Sequence, residues 1–232
     1  RNPKYFWSSI WEFSNIKGIK NDKFHFPKEI IKSKFLVNSK LNYAENLLSK
    51  SDNTKAITFI SESGYREEKS WRELNNNTFK LVKFFKDNKI KEKDRIAAYT
   101  ANQIETVESF IATSAIGAIW SSCSPDFGTQ GVIERFSQIK PKLLIITDRY
   151  YYNGKEINVL ERLPAILKKI KSIKSVLITN YPGKKNLKQK KIKGIKIFYF
   201  NKLKHKVKSK ITFKKFDFDK ELAILYSSGT TG

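Results

Sequence analysis

The last eleven residues, LAILYSSGTTG from Leu222 to Gly232, place an apolar run directly before a loop of Ser, Thr and Gly. Glycine permits backbone conformations that turn several N–H groups toward one point, and Ser and Thr hydroxyls add further donors. Such a loop can surround phosphate oxygens, although it lacks the Lys of a Walker P-loop. A plain connecting turn is the alternative, but the apolar run predicts a buried strand before the loop and favours phosphate binding. The candidate phosphate-binding residues are Ser227, Ser228, Gly229, Thr230, Thr231 and Gly232.

A second candidate loop, SSCSPDFG from Ser121 to Gly128, follows the apolar stretch AIW. Pro125 and Asp126 suit a tight turn. Asp126 or Thr129 is expected to cap the helix that comes next.

A third candidate loop, DRYYYNGKE from Asp148 to Glu156, follows the apolar run LLIIT. Three consecutive Tyr offer flat surfaces for stacking, and Lys155 adds one positive charge. This combination suits an adenine that carries a phosphate. An exposed aromatic turn is the alternative on these residues alone.

The sequence gives little support for a catalytic nucleophile or for a metal site. Cys123 is the only Cys and no His lies near it in the chain, so we expect a small buried side chain rather than a nucleophile. One Cys and two distant His, His25 and His205, cannot build a zinc site. The sequence therefore predicts no metal ligand.

Short apolar runs alternate with segments of helical periodicity along most of the chain. Strands are predicted at KAITFIS, DRIAAYT, AIWSS, KLLIITD, SVLITN and KIFYF, with a further one after the turn in ESGYREEKSW. Helices are predicted at residues 5–13, 41–48, 103–117, 129–139 and 158–170, and another opens at the capping box of Ser70 and Glu73. This alternation predicts an α/β fold with a doubly wound, mostly parallel sheet and an N-terminal helical segment. Ligands of such sheets bind at the carboxyl ends of the strands, where all three candidate loops lie.

The composition supports a folded, soluble chain. Hydrophobic residues make up 40% of the 232, aromatic residues 13%, and a single Cys predicts a reducing compartment, the cytoplasm. No secretory signal is evident, and the longest uncharged stretch, from Ser109 to Pro125, is shorter than the ~20 residues of a spanning helix. Because the chain contains no Met and ends inside the Ser/Thr/Gly motif, we expect it to be part of a longer protein.

The net charge of +24 is concentrated in one tract, since 18 Lys and no Asp or Glu lie between Lys168 and Phe216. Lys outnumbers Arg 39 to 7, whereas proteins that read base edges rely on Arg. We therefore favour a solvated Lys-rich surface, with a nucleic-acid-binding module as the alternative. Association with a membrane surface would need a basic amphipathic helix, which the irregular tract does not provide.

Several stretches resemble, in chain order, the adenylate-forming (AMP-binding) acyl-CoA synthetases. YSSGTTG resembles the phosphate-binding motif of that superfamily, and FWSSIWEF and LNYAENLL resemble the N-terminal region of its acetyl-CoA synthetase branch. IGAIWSSCSPDFGTQGVIERFSQIKPK and YYYNGKEI resemble the acetoacetate–CoA ligases within that branch. The likeness implies an N-terminal segment over residues 1–42, followed over residues 43–232 by the N-terminal part of an AMP-binding adenylation domain. It does not extend to the Lys-rich residues 182–215.

The resemblance implies an ATP-dependent acid–thiol ligase that joins acetoacetate to CoA through an acyl-adenylate, with ATP, Mg²⁺ and CoA as cofactors. The loop ending at Gly232 would hold the β- and γ-phosphates of ATP. By motif position, Lys155 lies where the branch has an Arg at the CoA 3′-phosphate, and Tyr152 lies where it has a second Arg. The CoA-binding residues that the resemblance implies are Lys155, Tyr152, Ser124, Pro125, Asp126, Phe127 and Arg135.

Other parts that the resemblance implies would follow Gly232: the Lys after the loop, the adenine- and Mg-binding motifs and the catalytic Lys. We therefore expect no catalytic residue within this chain and no adenylation by the chain alone. A ligase for another short acid, acetate or propionate, is the alternative, because most of the acid pocket would also follow Gly232. The expected partners are small molecules, with no nucleic acid and no stable membrane association; the sequence carries no signal for an oligomeric state.

Overall fold

The computed structural model describes residues 2–185, 187–189, 191–203 and 212–227. Among them the α-helices are α1 (Pro3–Phe13), α2 (Tyr43–Leu47), α3 (Trp71–Asp87), α4 (Ile104–Ala115), α5 (Thr129–Ile139) and α6 (Leu163–Lys169). The strands are β1 (Gly18–Ile19), β2 (Lys40–Leu41), β3 (Lys55–Ile60), β4 (Arg66–Ser70), β5 (Arg95–Tyr99), β6 (Ile119–Cys123), β7 (Leu143–Thr147), β8 (Arg149–Tyr152), β9 (Lys155–Asn158), β10 (Ser175–Thr179), β11 (Lys196–Tyr199) and β12 (Phe216–Asp217). Short 3₁₀ helices span Ile30–Lys32, Leu160–Arg162 and Phe200–Lys202.

A five-stranded parallel sheet in the order β11-β10-β7-β5-β6 forms the centre of the protein. Every residue of β7 is buried, as expected for a strand covered on both faces. Ala97 and Tyr99 of β5 pack with α5 and α6, whereas Ile96 and Ala98 pack with α3 and α4 on the opposite face. The predicted doubly wound α/β fold is therefore confirmed.

Smaller antiparallel elements surround the central sheet. Strands β1, β2 and β12 form one three-stranded sheet, β3 pairs with β4, and β8 pairs with β9. The β8–β9 pair is a two-residue hairpin whose turn residues, Asn153 and Gly154, have φ of 49° and 71°. The third candidate loop is thus a hairpin rather than a simple turn, and the Asn-Gly pair is the sequence signal for it.

The predicted capping box is present at the start of α3. The Ser70 hydroxyl accepts a hydrogen bond from the Glu73 N–H, and the Glu73 carboxylate accepts one from the Ser70 N–H. At the N-terminus α1 forms as predicted; Trp11 is buried there, while Phe6 and Trp7 stay 56% and 41% exposed.

Two predicted elements differ from the structure. The helix predicted over residues 158–170 begins as the 3₁₀ turn Leu160–Arg162 and becomes α-helical only in α6. The buried strand predicted before the Ser/Thr/Gly loop is reduced to a single parallel bridge between Ala223 and Trp120, and Leu225 is 82% exposed. This segment borders the sheet at its outer edge, where it has one neighbouring strand among the described residues.

None of the helices within the described ranges combines the length and the apolar character needed to cross a bilayer.

Candidate functional site

The segments that lead to two of the candidate loops lie side by side in the central sheet. The Trp120 N–H of β6 donates to Leu222 O at 3.1 Å, and the Ile224 N–H donates to Trp120 O at 2.8 Å. The Ser121 hydroxyl also donates to Ile224 O at 2.9 Å. The segment that leads to the candidate phosphate loop therefore runs parallel to β6. Both arrive at the same edge of the sheet.

The candidate phosphate loop itself is described only at its first residue. Ser227 is exposed and directly follows the segment that pairs with β6. Ser228, Gly229, Thr230, Thr231 and Gly232 lie outside the described residues.

The loop after β6 forms a tight turn, as its sequence predicts. The Phe127 N–H donates to Ser124 O at 3.1 Å, and the Ser124 hydroxyl donates to an Asp126 carboxylate oxygen at 2.6 Å. Pro125 is buried, whereas Ser124, Asp126 and Phe127 are exposed. The turn therefore presents three of the predicted CoA-binding residues to solvent.

The prediction that Asp126 or Thr129 caps α5 is wrong. Gly128 is the N-cap residue, and no side-chain oxygen accepts a capping hydrogen bond there. The Asp126 carboxylate instead accepts a hydrogen bond from the Ser124 hydroxyl within the turn.

Arg135 of α5 lies between the two loops. Its guanidinium carbon stands 4.3 Å from the centre of the Phe127 ring and 5.7 Å from that of Tyr226. Nη1 donates to Gly131 O at 3.1 Å, and the Tyr226 hydroxyl donates to Arg135 O at 2.6 Å. The structure thus brings Arg135 and Phe127, both implied by the resemblance, into direct contact.

The β8–β9 hairpin approaches the same turn through its base. Tyr150 is buried, and its pKa is raised by burial and by the Asp126 carboxylate beside it. Tyr152 and Lys155 pair directly across the hairpin next to its turn, where Tyr152 is 66% exposed and Lys155 is exposed. Lys155, which the resemblance places at the CoA 3′-phosphate, and Tyr152, which it places where the branch has a second Arg, therefore stand at the solvent-facing tip.

Tyr99 and Arg162 also belong to this site, and no motif in the sequence indicates them. The Tyr99 hydroxyl, at the carboxyl end of β5, donates to Phe127 O at 2.6 Å, and Arg162 Nη1 donates to Pro125 O at 2.7 Å. Burial raises the pKa of Tyr99, and the Arg162 guanidinium opposes that rise. The sequence carries only weak signals for these two residues: Tyr99 ends a predicted strand, and Arg162 is an Arg in a chain that mostly uses Lys.

Cys123 is buried at the end of β6, as expected. Burial raises the pKa of its thiol to about 11. The thiol is therefore protonated near neutral pH and is a poor nucleophile.

The part of the Lys-rich tract that directly follows β10 is fixed against the base of the hairpin. The Asp148 carboxylate is fully buried and accepts hydrogen bonds from the backbone N–H groups of Tyr181 at 2.9 Å and Leu187 at 3.0 Å. Arg149 Nη2 donates to Lys185 O at 2.7 Å, and Lys184 Nζ lies 5.2 Å from the Tyr151 ring centre. Exposed lysines thus stand beside the hairpin that carries Lys155.

In parallel sheets covered by helices, ligands bind at the carboxyl ends of the strands, where the turn after β6 and the segment that ends at Ser227 lie. The chain belongs to the AMP-binding enzyme family, whose sequence model matches residues 46–232.

Within that family the chain is similar to acetoacetyl-CoA synthetases. It is 35% identical over 228 residues to the acetoacetyl-coenzyme A synthetase of Rhizobium meliloti, covering 98% of this chain and 35% of that protein. It is 36% identical over 236 residues to the acetoacetyl-CoA synthetase of Gallus gallus, with the same coverage. The solved acetoacetyl-CoA synthetase from Streptomyces lividans superposes with a TM-score of 0.85 at 25% identity, covering 98% of this chain and 34% of that one. The chain therefore spans about 35% of the length of the curated relatives that it matches.

Proposed function

We propose that this chain is the N-terminal part of an ATP-dependent acid–thiol ligase that makes acetoacetyl-CoA from acetoacetate and CoA. The observation that carries the proposal is the similarity to acetoacetyl-CoA synthetases along 98% of the chain. The segment before Ser227 and the strand that leads to the turn of Ser124 to Phe127 run side by side, which supports the proposal because ligands of such sheets bind at the carboxyl ends of the strands. Residues 1–42 form the N-terminal segment of this ligase, and residues 43–232 form the first part of its adenylation domain.

In the first half-reaction the acetoacetate carboxylate attacks the α-phosphorus of ATP, an acyl-adenylate forms, and pyrophosphate leaves. In the second half-reaction the CoA thiol attacks the acyl carbon, and AMP leaves. The N–H groups and hydroxyls of residues 227–232 hold the β- and γ-phosphates and stabilise the charge that builds up on the leaving pyrophosphate. The family also implies Mg²⁺ with ATP. No group of three His, Cys, Asp or Glu suited to a metal lies in the described part of the chain, so we assign Mg²⁺ no ligand and no step here.

The CoA nucleotide binds, in this proposal, along the turn of Ser124 to Phe127 and the tip of the β8–β9 hairpin. Lys155 pairs with the 3′-phosphate, and Tyr152 beside it offers a face for stacking. Arg135 supports the turn through its contact with Phe127. These residues come from two elements, and the Asp126 carboxylate of the turn raises the pKa of Tyr150 in the hairpin.

The proposal is tested on the full-length protein with acetoacetate, acetate and propionate as competing acids. We expect the highest kcat/KM for acetoacetate, measured as CoA-dependent AMP formation. A preference for acetate or propionate would support the other short-acid ligase instead. Absence of AMP formation with all three acids would contradict a ligase for acetoacetate and for the other two short acids.

A nucleic-acid-binding module is the second candidate function, because the chain carries a net charge of +24. Binding through the Lys-rich tract would fall steeply with salt, since each phosphate contact releases counterions. We expect no binding of DNA or RNA by the full-length protein at ~50 mM salt, the condition that most favours it.

In line with a small-molecule ligase that has one buried, reduced Cys, we place the protein in the cytoplasm.

A further inference from the structure

Arg162 reaches the turn after β6 from an element that follows the hairpin. Asn158, the last residue of β9, accepts the Leu160 N–H through its side-chain oxygen at 3.1 Å, and the Arg162 N–H donates to Val159 O at 3.1 Å. Arg162 is therefore the last residue of a 3₁₀ turn that is tied directly to the end of the hairpin. It is half-buried, so its charge acts in a partly desolvated setting.

One nitrogen of Arg162 contacts three oxygens of the site. Nη1 donates to Pro125 O at 2.7 Å, to Phe127 O at 3.1 Å and to the hydroxyl oxygen of Tyr99. The Tyr99 hydroxyl lies 2.6 Å from Phe127 O and 3.2 Å from Pro125 O. Hydrogen bonds from a charged donor are stronger than neutral ones, so this pair holds both carbonyls firmly.

Holding these two carbonyls sets the shape of the turn. A trans peptide is planar, and its N–H points opposite to its C=O. The N–H groups of Asp126 and Gly128, which share peptide planes with Pro125 O and Phe127 O, therefore point away from Arg162. The side chains of Ser124, Asp126 and Phe127 are exposed while Pro125 is buried, so the turn has an inner side anchored by Arg162 and an outer side open to a ligand.

The same residue connects the two segments that the proposed function assigns to CoA. Lys155 and Tyr152 stand on the hairpin whose end carries Arg162, and Pro125 and Phe127 belong to the turn that Arg162 holds. The Asp126 carboxylate of the turn also acts on Tyr150 of the hairpin and raises its pKa. A change at Arg162 is therefore expected to shift the turn and the hairpin relative to each other.

We propose that Arg162, acting with Tyr99, is a positioning residue that holds the turn of Ser124 to Gly128 in the form that receives the CoA nucleotide. The proposal rests on the proposed function, because it presumes that CoA binds at this turn. Arg162 itself touches no reacting atom.

The test uses the full-length protein and two assays. The first is acetoacetate-dependent ATP–pyrophosphate exchange without CoA, and the second is thioester formation with varied CoA. For Arg162→Gln we expect about a tenfold rise in the KM for CoA, the size associated with losing charge-assisted hydrogen bonds, and exchange within about twofold of wild type. Arg162→Lys keeps a charged donor and is expected to recover part of the loss.

Tyr99→Phe removes one hydroxyl from a fully buried ring and keeps its volume, so it provides a second variant if Arg162→Gln folds poorly. We expect a smaller rise in the KM for CoA from Tyr99→Phe. The double variant should be little worse than Arg162→Gln, because the two groups act on the same carbonyls. Arg66→Gln is the matched control, since Arg66 is exposed on β4 and pairs there with Glu68.

An unchanged KM for CoA in both Arg162→Gln and Tyr99→Phe would overturn the proposal while leaving the proposed function intact. Equal losses in exchange and in thioester formation would also overturn it, because they indicate a general effect on the fold. If wild-type protein exchanges pyrophosphate but forms no thioester with CoA, the proposed function fails, and the role of Arg162 fails with it.

Discussion

Lys155 supplies the positive charge that the proposed site offers to the 3′-phosphate of CoA. It stands exposed beside the turn of the β8–β9 hairpin, opposite Tyr152. An exposed Lys gains only a modest free energy from one phosphate contact because water and salt screen it. Its contribution should therefore appear as selectivity for the 3′-phosphate rather than as loss of all activity.

We expect Lys155→Gln in the full-length protein to raise the KM for CoA about two- to fivefold and to leave the KM for 3′-dephospho-CoA nearly unchanged. The ratio of the two KM values measures the contact directly. Lys168→Gln is the control, since Lys168 is also exposed but lies on α6. An equal effect of Lys155→Gln on both thiols would show that the side chain does not contact the 3′-phosphate.

Gly117 tests, at the scale of one residue, how the β1-β2-β12 sheet packs against the central sheet. Its φ is +68°, and a Cβ added there would lie 2.5 Å from Cζ of Phe216. We expect Gly117→Ala to lower the free energy of unfolding by about 1–3 kcal/mol, because backbone strain and overpacking act together. Gly64→Ala is the matched control, since Gly64 has φ of +80° but nothing within 4 Å of the added carbon. Urea unfolding of both variants should separate the steric clash with Phe216 from the strain of a positive φ. An equal decrease in the free energy of unfolding in both variants would argue against the clash.

At the scale of elements, side chains of α3, α4 and β4 form a charged cluster around the buried carboxylate of Glu108. Glu108 of α4 is fully buried; its carboxylate accepts a hydrogen bond from Asn77 Nδ2 at 2.8 Å and lies 3.4 Å from Lys69 Nζ. The carboxylates of Glu105 and Glu67 lie 3.6 and 3.7 Å from the same Nζ. Burial raises the pKa of Glu108 to about 7, with Lys69 opposing the rise.

This cluster predicts a stability that depends on pH. Because folding raises the pKa of Glu108 from its ordinary value of 4.5, the folded state holds a proton that the unfolded state loses between about pH 4.5 and 7. The free energy of unfolding should therefore fall as pH rises through that window, by up to about 3 kcal/mol from this group. Glu108→Gln should flatten the curve in urea unfolding between pH 5 and 7.5, whereas the exposed Glu134→Gln should not. A wild-type curve that rises with pH and is unchanged by Glu108→Gln would contradict this assignment.

The elements that the sequence predicts correctly are those whose signals are local. The capping box of Ser70 and Glu73 and the periodicity of α5 depend on residues within one or two helical turns, and both are confirmed. The segment before Ser227 pairs with β6 through a single bridge. Its short pairing has no local signal, because it depends on where the segment meets the outer edge of a sheet built from strands distant in the sequence. Arg162 is missed for the same reason: its partners Tyr99 and Pro125 lie 63 and 37 residues away.

At the scale of the whole molecule, the sequence shows that positive charge is concentrated in the Lys-rich tract, but it does not explain why. Buried Asp148 fixes the backbone at Tyr181 and Leu187, which places exposed Lys184 and Lys185 beside the hairpin that carries Lys155. Clustered charge of one sign raises the local concentration of oppositely charged ligands and speeds their encounter with the protein. CoA, with its phosphates, is the most highly charged of the proposed substrates apart from ATP.

We expect the KM for CoA of the full-length protein to rise between ~50 and ~300 mM NaCl, and the KM for acetoacetate to change much less, because screening shortens the reach of the Lys-rich surface. The double variant Lys184→Gln/Lys185→Gln should weaken this salt dependence by raising the KM for CoA mainly at low salt. Lys83→Gln/Lys86→Gln is the matched control, since it removes the same charge from exposed positions on α3. Equal effects of the two double variants would mean that net charge, not its placement beside the hairpin, governs the response. A KM for CoA that does not change with salt would show that the tract has no part in CoA capture.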